Sequence, residues 1–333
     1  MIGLLLLPLP VLAISLLIGP SSAVSNQAII KTGLAWLLGF FPDAPPAFPD
    51  ASLVATIILE VRLPRILMAF LVGGALSISG VTLQTLFRNP LVCPYILGLS
   101  AGAAFGAALA VAMGWGAIQL SAFSGGALAV TVSYAMARSR GQISMISLIL
   151  SGVMVTGIFT ALLTLVQFMA DPFKLQTIVH WTMGNLHTAS WAKLSSATPP
   201  ITVSTLYLLL YRWRLNVLAM GEEETRAVGL NPELERLRFL VPATLAASAA
   251  VAVAGIIGLI GLMVPHMVRI LVGPDNTRSV PVCFTLGGCL TVVVDDLCRS
   301  LMLFEIPVGV LTSLVGGPVF ILLLKKSRAE WDL

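Results

Sequence analysis

Charge is scarce in this chain. Among 333 residues there are 19 lysines and arginines and 15 aspartates and glutamates, a charged fraction of 10%. Soluble domains carry about 25%, so a solvated surface cannot be built from so few, and a soluble enzyme or a disordered chain is excluded. No glycine is followed by lysine, so the phosphate-cradling P-loop is missing and the chain cannot hydrolyse ATP in the usual way. The four cysteines, Cys93, Cys283, Cys289 and Cys298, form no CxxC, which indicates neither a zinc site nor a disulfide framework. The net charge of +4 is not gathered into a basic face, so nucleic acid is not an expected partner. Residues 1–20 are apolar without a basic leader and read as a retained first span rather than a cleaved signal.

Apolar side chains are abundant: 57% of residues, with a mean hydropathy of +0.98. Crossing a bilayer takes roughly 20 apolar residues per helix. The pattern predicts an all-α polytopic membrane protein of about ten transmembrane helices, near 2–19, 64–86, 95–113, 116–137, 143–168, 192–211, 238–258, 260–272, 281–301 and 307–324. The stretch 260–272 is short and reads as a half-helix. Residues 1–333 are expected to form a single transmembrane domain. The connections alternate in charge: one set holds 13 of the 19 basic residues, the other Lys31, Arg62, Arg65, Lys174, Lys193 and Arg299. The positive-inside bias places the richer set, and both termini, in the cytoplasm.

Two connections are long. Residues 20–63 are expected outside, with an amphipathic piece at Ala28–Phe41. Residues 212–237 are expected inside as a short helix, a turn and a second short helix. Glu222, Glu223 and Glu224 suit a first helical turn, Gly229 a left-handed cap and Pro232 the next helix start. Such a hairpin suits the docking of a soluble partner; a plain solvated loop is the alternative. Gly98, Gly102 and Gly106 make a small-residue ridge for close helix packing. Gly98–Gly102 also fits a nucleophile elbow around Ser100, but that motif needs a strand before it. His180 and His187, seven apart, read as interfacial residues or ligand contacts. Asp295 and Arg299, four apart, are expected to pair on one helix face, while the nearby Asp296 has no evident role. Two proline-bearing breaks, Arg88–Pro94 and Val264–Arg269, are expected to interrupt helices as a gate or as tight turns.

At these breaks the chain resembles the FecCD/BtuC-like permeases, the membrane subunits of type II ABC importers for iron-siderophores, haem and cobalamin. The resemblance rests on Arg62–Arg65 (RLPR), Gly80–Gln84 running into Arg88–Leu91 (RNPL), Leu97–Gly102, Gly258–Arg269 (GLIGLMVPHMVR), Asp295–Arg299 and Pro307–Pro318. It implies the type II ABC importer permease fold, in a bacterial or archaeal inner membrane, as two copies around a central path. It implies two ATP-binding subunits, which hold ATP and magnesium, docked on the hairpin at Gly221, Glu222, Glu223, Arg226, Gly229 and Leu230. Arg62 and Arg299 would meet carboxylates of a periplasmic or lipid-anchored binding protein. Asn89, Pro90, Leu91, Val92, Cys93 and Pro94 would form part of a cytoplasmic gate. No cofactor and no metal site is implied in this chain. The cargo would be an iron-siderophore or haem, with cobalamin or molybdate further alternatives. Three positions depart from the family: Cys93 stands where an acid is usual, Ile256 where proline is usual, and Asp296 where the family is apolar.

Two other classes stay open. An ion-coupled secondary carrier would need no ATPase, although no carboxylate chain crosses the apolar stretches. An intramembrane hydrolase would depend on Ser100. The charge asymmetry makes its own prediction. An alkaline phosphatase reporter inserted near residue 140 is expected to be inactive, and one inserted near residue 190 active. The opposite pattern would reverse the topology.

Overall fold

The computed structural model describes residues 1–19, 51–139, 142–143, 145–302 and 304–331. Most of the long outer connection, including Ala28–Phe41, lies outside the described residues. The fold is helical apart from a minimal antiparallel pair, β1 (Arg138–Ser139) and β2 (Gln142–Ile143), at the turn near 140.

In chain order, α1 is Ile2–Leu17, and α2 is Leu63–Leu86, entered through Ala51–Thr56 and a π-helical turn at Ile57–Arg62. Then follow α3 (Leu99–Met113), α4 (Ile118–Ala137), α5 (Met145–Met169), α6 (Pro172–Thr182), α7 (Trp191–Met220), α8 (Glu222–Ala227), α9 (Pro232–Ala254), α10 (Ile260–Val272), α11 (Asn276–Ser300) and α12 (Val308–Trp331). Among the described residues, the helix through α2, and α4, α5, α9 and α11, are each long and apolar enough to cross a membrane. The apolar helices α1, α3, α10 and Val308–Leu322 of α12 are shorter, and α7 is long but less apolar. These ten helices occupy the ten predicted stretches.

Helix α2 is the axis of the bundle: 83% of its most apolar window is buried, against 28% for α5. It lies against α9, α10 and α11, which approach closely because glycines line the contacts. A Cβ on Gly80 would fall 1.9 Å from the Gly261 carbonyl oxygen of α10. On the other wing, a Cβ on Gly102 would fall 2.3 Å from the Gly125 carbonyl oxygen, so the α3 glycine ridge packs onto α4 as its spacing predicted. Helix α5 buries one stripe, Leu148, Ser151, Gly152, Val155 and Phe159, and leaves Leu150, Met154, Ile158, Leu165 and Phe168 exposed.

Two expectations need correction. The break predicted at Val264–Arg269 is continuous α10: Pro265 sits well inside it, and the proline forfeits only its own N–H bond toward Gly261. The real interruption comes earlier, at Gly255–Leu259, where Gly255 (φ 70°) and Leu259 (φ 64°) turn the backbone left-handed. With 13 residues rising ~1.5 Å each, α10 covers only about 20 Å, the half-helix expected from its length. Finally, the connection 212–237 holds one short helix, not two, because α7 runs on to Met220 and α9 starts at Pro232.

The α2–α10 contact predicts that Gly80→Ala destabilises the protein by about 1–3 kcal/mol, the usual cost of overpacking. Gly157→Ala, where a Cβ meets nothing within 4 Å, serves as the control and should not destabilise. Thermal unfolding of the purified protein in detergent measures both.

Candidate functional site

Two polar regions stand at opposite ends of the bundle. At the end expected to face outward, α1, α2, α11 and the connection before α12 bring six charges together. Arg65 uses its whole fork. Its Nε donates to Asp295 Oδ2 at 2.9 Å and its Nη2 to Asp295 Oδ1 at 2.9 Å, while Nη1 donates to Glu305 Oε1 and Oε2 at 2.9 and 3.0 Å. Three residues along α11, Asp296 and Arg299 form a tight pair, and α1 completes it. Ser15 Oγ donates to Asp296 Oδ1 at 2.7 Å, and Arg299 Nη2 donates to Ser15 Oγ at 2.9 Å and to the Ser15 carbonyl at 3.1 Å. Arg62 Nη1 donates to the Leu16 carbonyl at 2.7 Å. Asp295 is 1% exposed and Arg299 3%, so these charges depend on one another rather than on water.

The expected pairing of Arg299 with Asp295 is present as an ion pair at 3.9 Å. The hydrogen bond of Arg299 goes to Asp296, because the planar Arg65 fork arrives from α2 and takes both Asp295 oxygens. Asp296, unexplained in the sequence, is the counter-charge of Arg299. Arg62 and Arg299 are both buried against the end of α1 rather than standing free. The sequence reading missed Ser15 and Glu305. Glu305 lies beyond the periodic stretches, where only its charge marked it, and Ser15 gave no signal.

At the opposite end the hairpin has the caps its residues suggested around one short helix. Gly221 turns the chain at φ 158°, and the acids Glu222, Glu223 and Glu224 open α8 on an exposed face. Gly229 (φ 78°) closes α8, with the Leu230 N–H returning to the Thr225 carbonyl at 3.1 Å. Asn231 caps α9 by accepting from the Glu233 and Leu234 N–H groups at 3.0 and 3.2 Å. Thr225 is fully buried beneath α8. Glu222 accepts from Arg236 at 2.6 Å and lies 3.7 Å from Arg226, and the Arg236 hydrogen bond holds its carboxyl below the usual range. That contribution is present above the ordinary glutamate pKa and is lost as pH falls through the depressed value. Met220, Val228 and Leu234 stand exposed around the acids. Behind them, buried Glu235 is gripped by Arg214 at 3.1 Å and Arg238 at 2.6 Å, a triad the sequence reading did not single out.

The Asn89–Pro94 segment lies between α2 and α3. Asn89 Oδ1 accepts the Leu91 N–H at 2.9 Å and the Asn89 carbonyl accepts the Val92 N–H at 3.3 Å, which holds a compact non-helical turn. A 3-10 turn, Pro94–Leu97, leads into α3, and the Tyr95 hydroxyl donates to the Ile257 carbonyl at 2.7 Å, in the interruption before α10. Gln84, in the last turn of α2, accepts from Arg269 and donates to the Leu262 carbonyl at 3.3 Å. Burial pushes the Cys93 thiol up, which disfavours its thiolate. Ser100 follows this 3-10 turn rather than a strand, so the elbow context is not met. His180 and His187 are exposed, and among the described residues no three metal-ligating side chains gather.

A helical bundle with several apolar helices of spanning length, buried ion pairs at one end and an exposed acidic helix at the other has the architecture of a polytopic membrane protein. The FecCD transport family matches residues 5–326, and the chain belongs to that family. It is 38% identical over 279 residues to a probable iron chelatin transport system permease protein of Helicobacter pylori, covering 84% of this chain and 85% of that one. It is 40% identical over 279 residues to the molybdate import system permease protein MolB of Haemophilus influenzae, covering 82% of each. Among solved structures, a metal-chelate type ABC transporter in an inward-facing conformation matches with a TM-score of 0.84 at 35% identity, over 98% of both chains.

Removing one partner from a buried ion pair strands the other, at about 3–5 kcal/mol. Asp295→Asn should therefore lower the thermal midpoint in detergent far more than Glu305→Gln, whose carboxylate is 39% exposed. Equal effects would show that the Arg65–Asp295 bond is not the anchor.

Proposed function

We propose that this chain is the membrane subunit of an ATP-driven importer and that it works as a pair of identical copies. Two ATP-binding subunits dock on the cytosolic side at the hairpin, within residues 212–237. The observation that carries this reading is the exposed α8 with its three acids and its ring of apolar side chains. A membrane chain with no phosphate-binding loop has no use of its own for such a structure. Gly221, Glu222, Glu223, Arg226, Gly229 and Leu230 form the contact. ATP and magnesium belong to the partner. Binding of ATP closes the paired ATPase subunits, the hairpins follow, and Asn89–Pro94 opens or shuts the inner end of the path.

The chain lies in a bacterial or archaeal inner membrane with both termini in the cytoplasm, and residues 20–63 face outward. A periplasmic or lipid-anchored binding protein delivers cargo to the outer face, where its carboxylates meet Arg62 and Arg299. Both arginines are buried under α1 in this chain, so docking requires the Ser15–Leu16 end of α1 to yield. The cargo is a metal chelate, an iron-siderophore or haem, in keeping with the relatives' names. Cobalamin, or molybdate as an oxyanion, is the second reading. A central path between two copies needs differential access rather than tight binding, so cargo choice belongs to the binding protein.

Expression of the chain beside the ATPase subunit encoded with it should yield a stable complex on purification. Uptake into proteoliposomes should need ATP inside and should persist when ion gradients are collapsed. Uptake that follows an ion gradient without ATP would instead establish a secondary carrier. Arg62→Gln removes one bond to a carbonyl and should weaken binding-protein docking by about tenfold or more, the scale of a lost interfacial charge pair. Unchanged docking affinity would take Arg62 out of the interface.

A further inference from the structure

Helix α2 ends in a turn that ordinarily belongs to glycine. The Arg88 N–H returns to the Thr85 carbonyl at 3.2 Å and the Asn89 N–H to the Gln84 carbonyl at 3.1 Å, with Arg88 at φ 47° between them. This is the Schellman arrangement, and its left-handed position carries a steric penalty for any residue with a Cβ. A glycine would adopt it freely, so the side chain must supply whatever the position gains. What it supplies is reach. Arg88 Nη2 donates to the Leu218 carbonyl at 3.2 Å, in the last turn of α7 and three residues before the Gly221 bend. Its charge also faces Glu222 at the start of α8. The preceding residue, Phe87, is buried and lines a small pocket with Met145 and Leu148 of α5 and with Arg236 and Leu240 of α9. The next residue, Asn89, opens the proline-locked segment. Within three residues the chain passes from a contact with the base of the hairpin to the proposed gate.

We propose that Arg88 is a positioning residue that ties the α7–α8 bend to the Asn89–Pro94 segment, so that displacement of the hairpin moves the gate. This inference rests on the importer reading. A backbone held left-handed by a residue that disfavours it has little freedom to absorb movement locally. A pull on Leu218 is therefore passed to Asn89 rather than lost in the turn. The gate is driven through one side chain from the α7 side, and packing around Phe87 aligns it from the α9 side.

The test uses the complete importer in proteoliposomes and reads substrate moved per ATP hydrolysed. Arg88→Gly relieves the backbone and removes the tether. Its thermal midpoint should equal or exceed that of the parent, and the ATPase subunits should still co-purify. Hydrolysis should persist, while substrate moved per ATP falls about tenfold, the factor expected when one charged hydrogen bond is lost from one state. Arg88→Lys keeps a cationic donor and should recover part of that ratio. A ratio unchanged in Arg88→Gly overturns the proposal, as does loss of the ATPase subunits from that variant, which would make Arg88 part of the dock itself. Failure of the parent protein to retain an ATPase subunit would instead overturn the importer reading.

Discussion

The fold depends on one constraint: a charge near hydrocarbon must bring its own counter-charge. Arg65 meets it with both of its edges, holding Asp295 on α11 and Glu305 before α12. One guanidinium thus fixes the angle between the central helix and two neighbours. Arg299, Asp296 and Ser15 do the same for α1, which touches the bundle largely through apolar contacts elsewhere. Helix-to-helix packing through glycine carbonyl contacts is strong in total but permits sliding. The arginine forks are directional, and they set the register in which the glycines meet.

Most of the helices were legible because the bilayer makes their signal simple: an apolar stretch of a given length has one use. The half-helix α10 was visible from length alone, and Gly229 and Pro232 marked the end of α8 and the start of α9 correctly because caps are local chemistry. Long-range pairing was not legible. The spacing of Asp295 and Arg299 marked an intrahelical ion pair that does form, at 3.9 Å, but Arg65, distant in sequence, makes the closer bond to Asp295. Periodicity on one helix contains no information about a competitor on another. The Val264–Arg269 misreading has a related cause. A proline reports a missing N–H, but whether the helix stops depends on what packs around it. The interruption fell instead where Gly255 and Leu259 take left-handed backbone.

The two ends of the molecule are mechanically different. The end with the arginine cluster is locked by buried ion pairs. The hairpin end carries half-exposed Glu222 with Arg226 and Arg236, where solvent screens the pairing, in front of the buried Glu235 triad.

The outer cluster has a further consequence in its arithmetic. Three arginines face three carboxylates, so the cluster is formally neutral while being rich in charge. Charges that sum to zero lose their combined field faster with distance than charges of one sign, and steering of the kind charged funnels perform needs an excess of one sign that these six groups do not have.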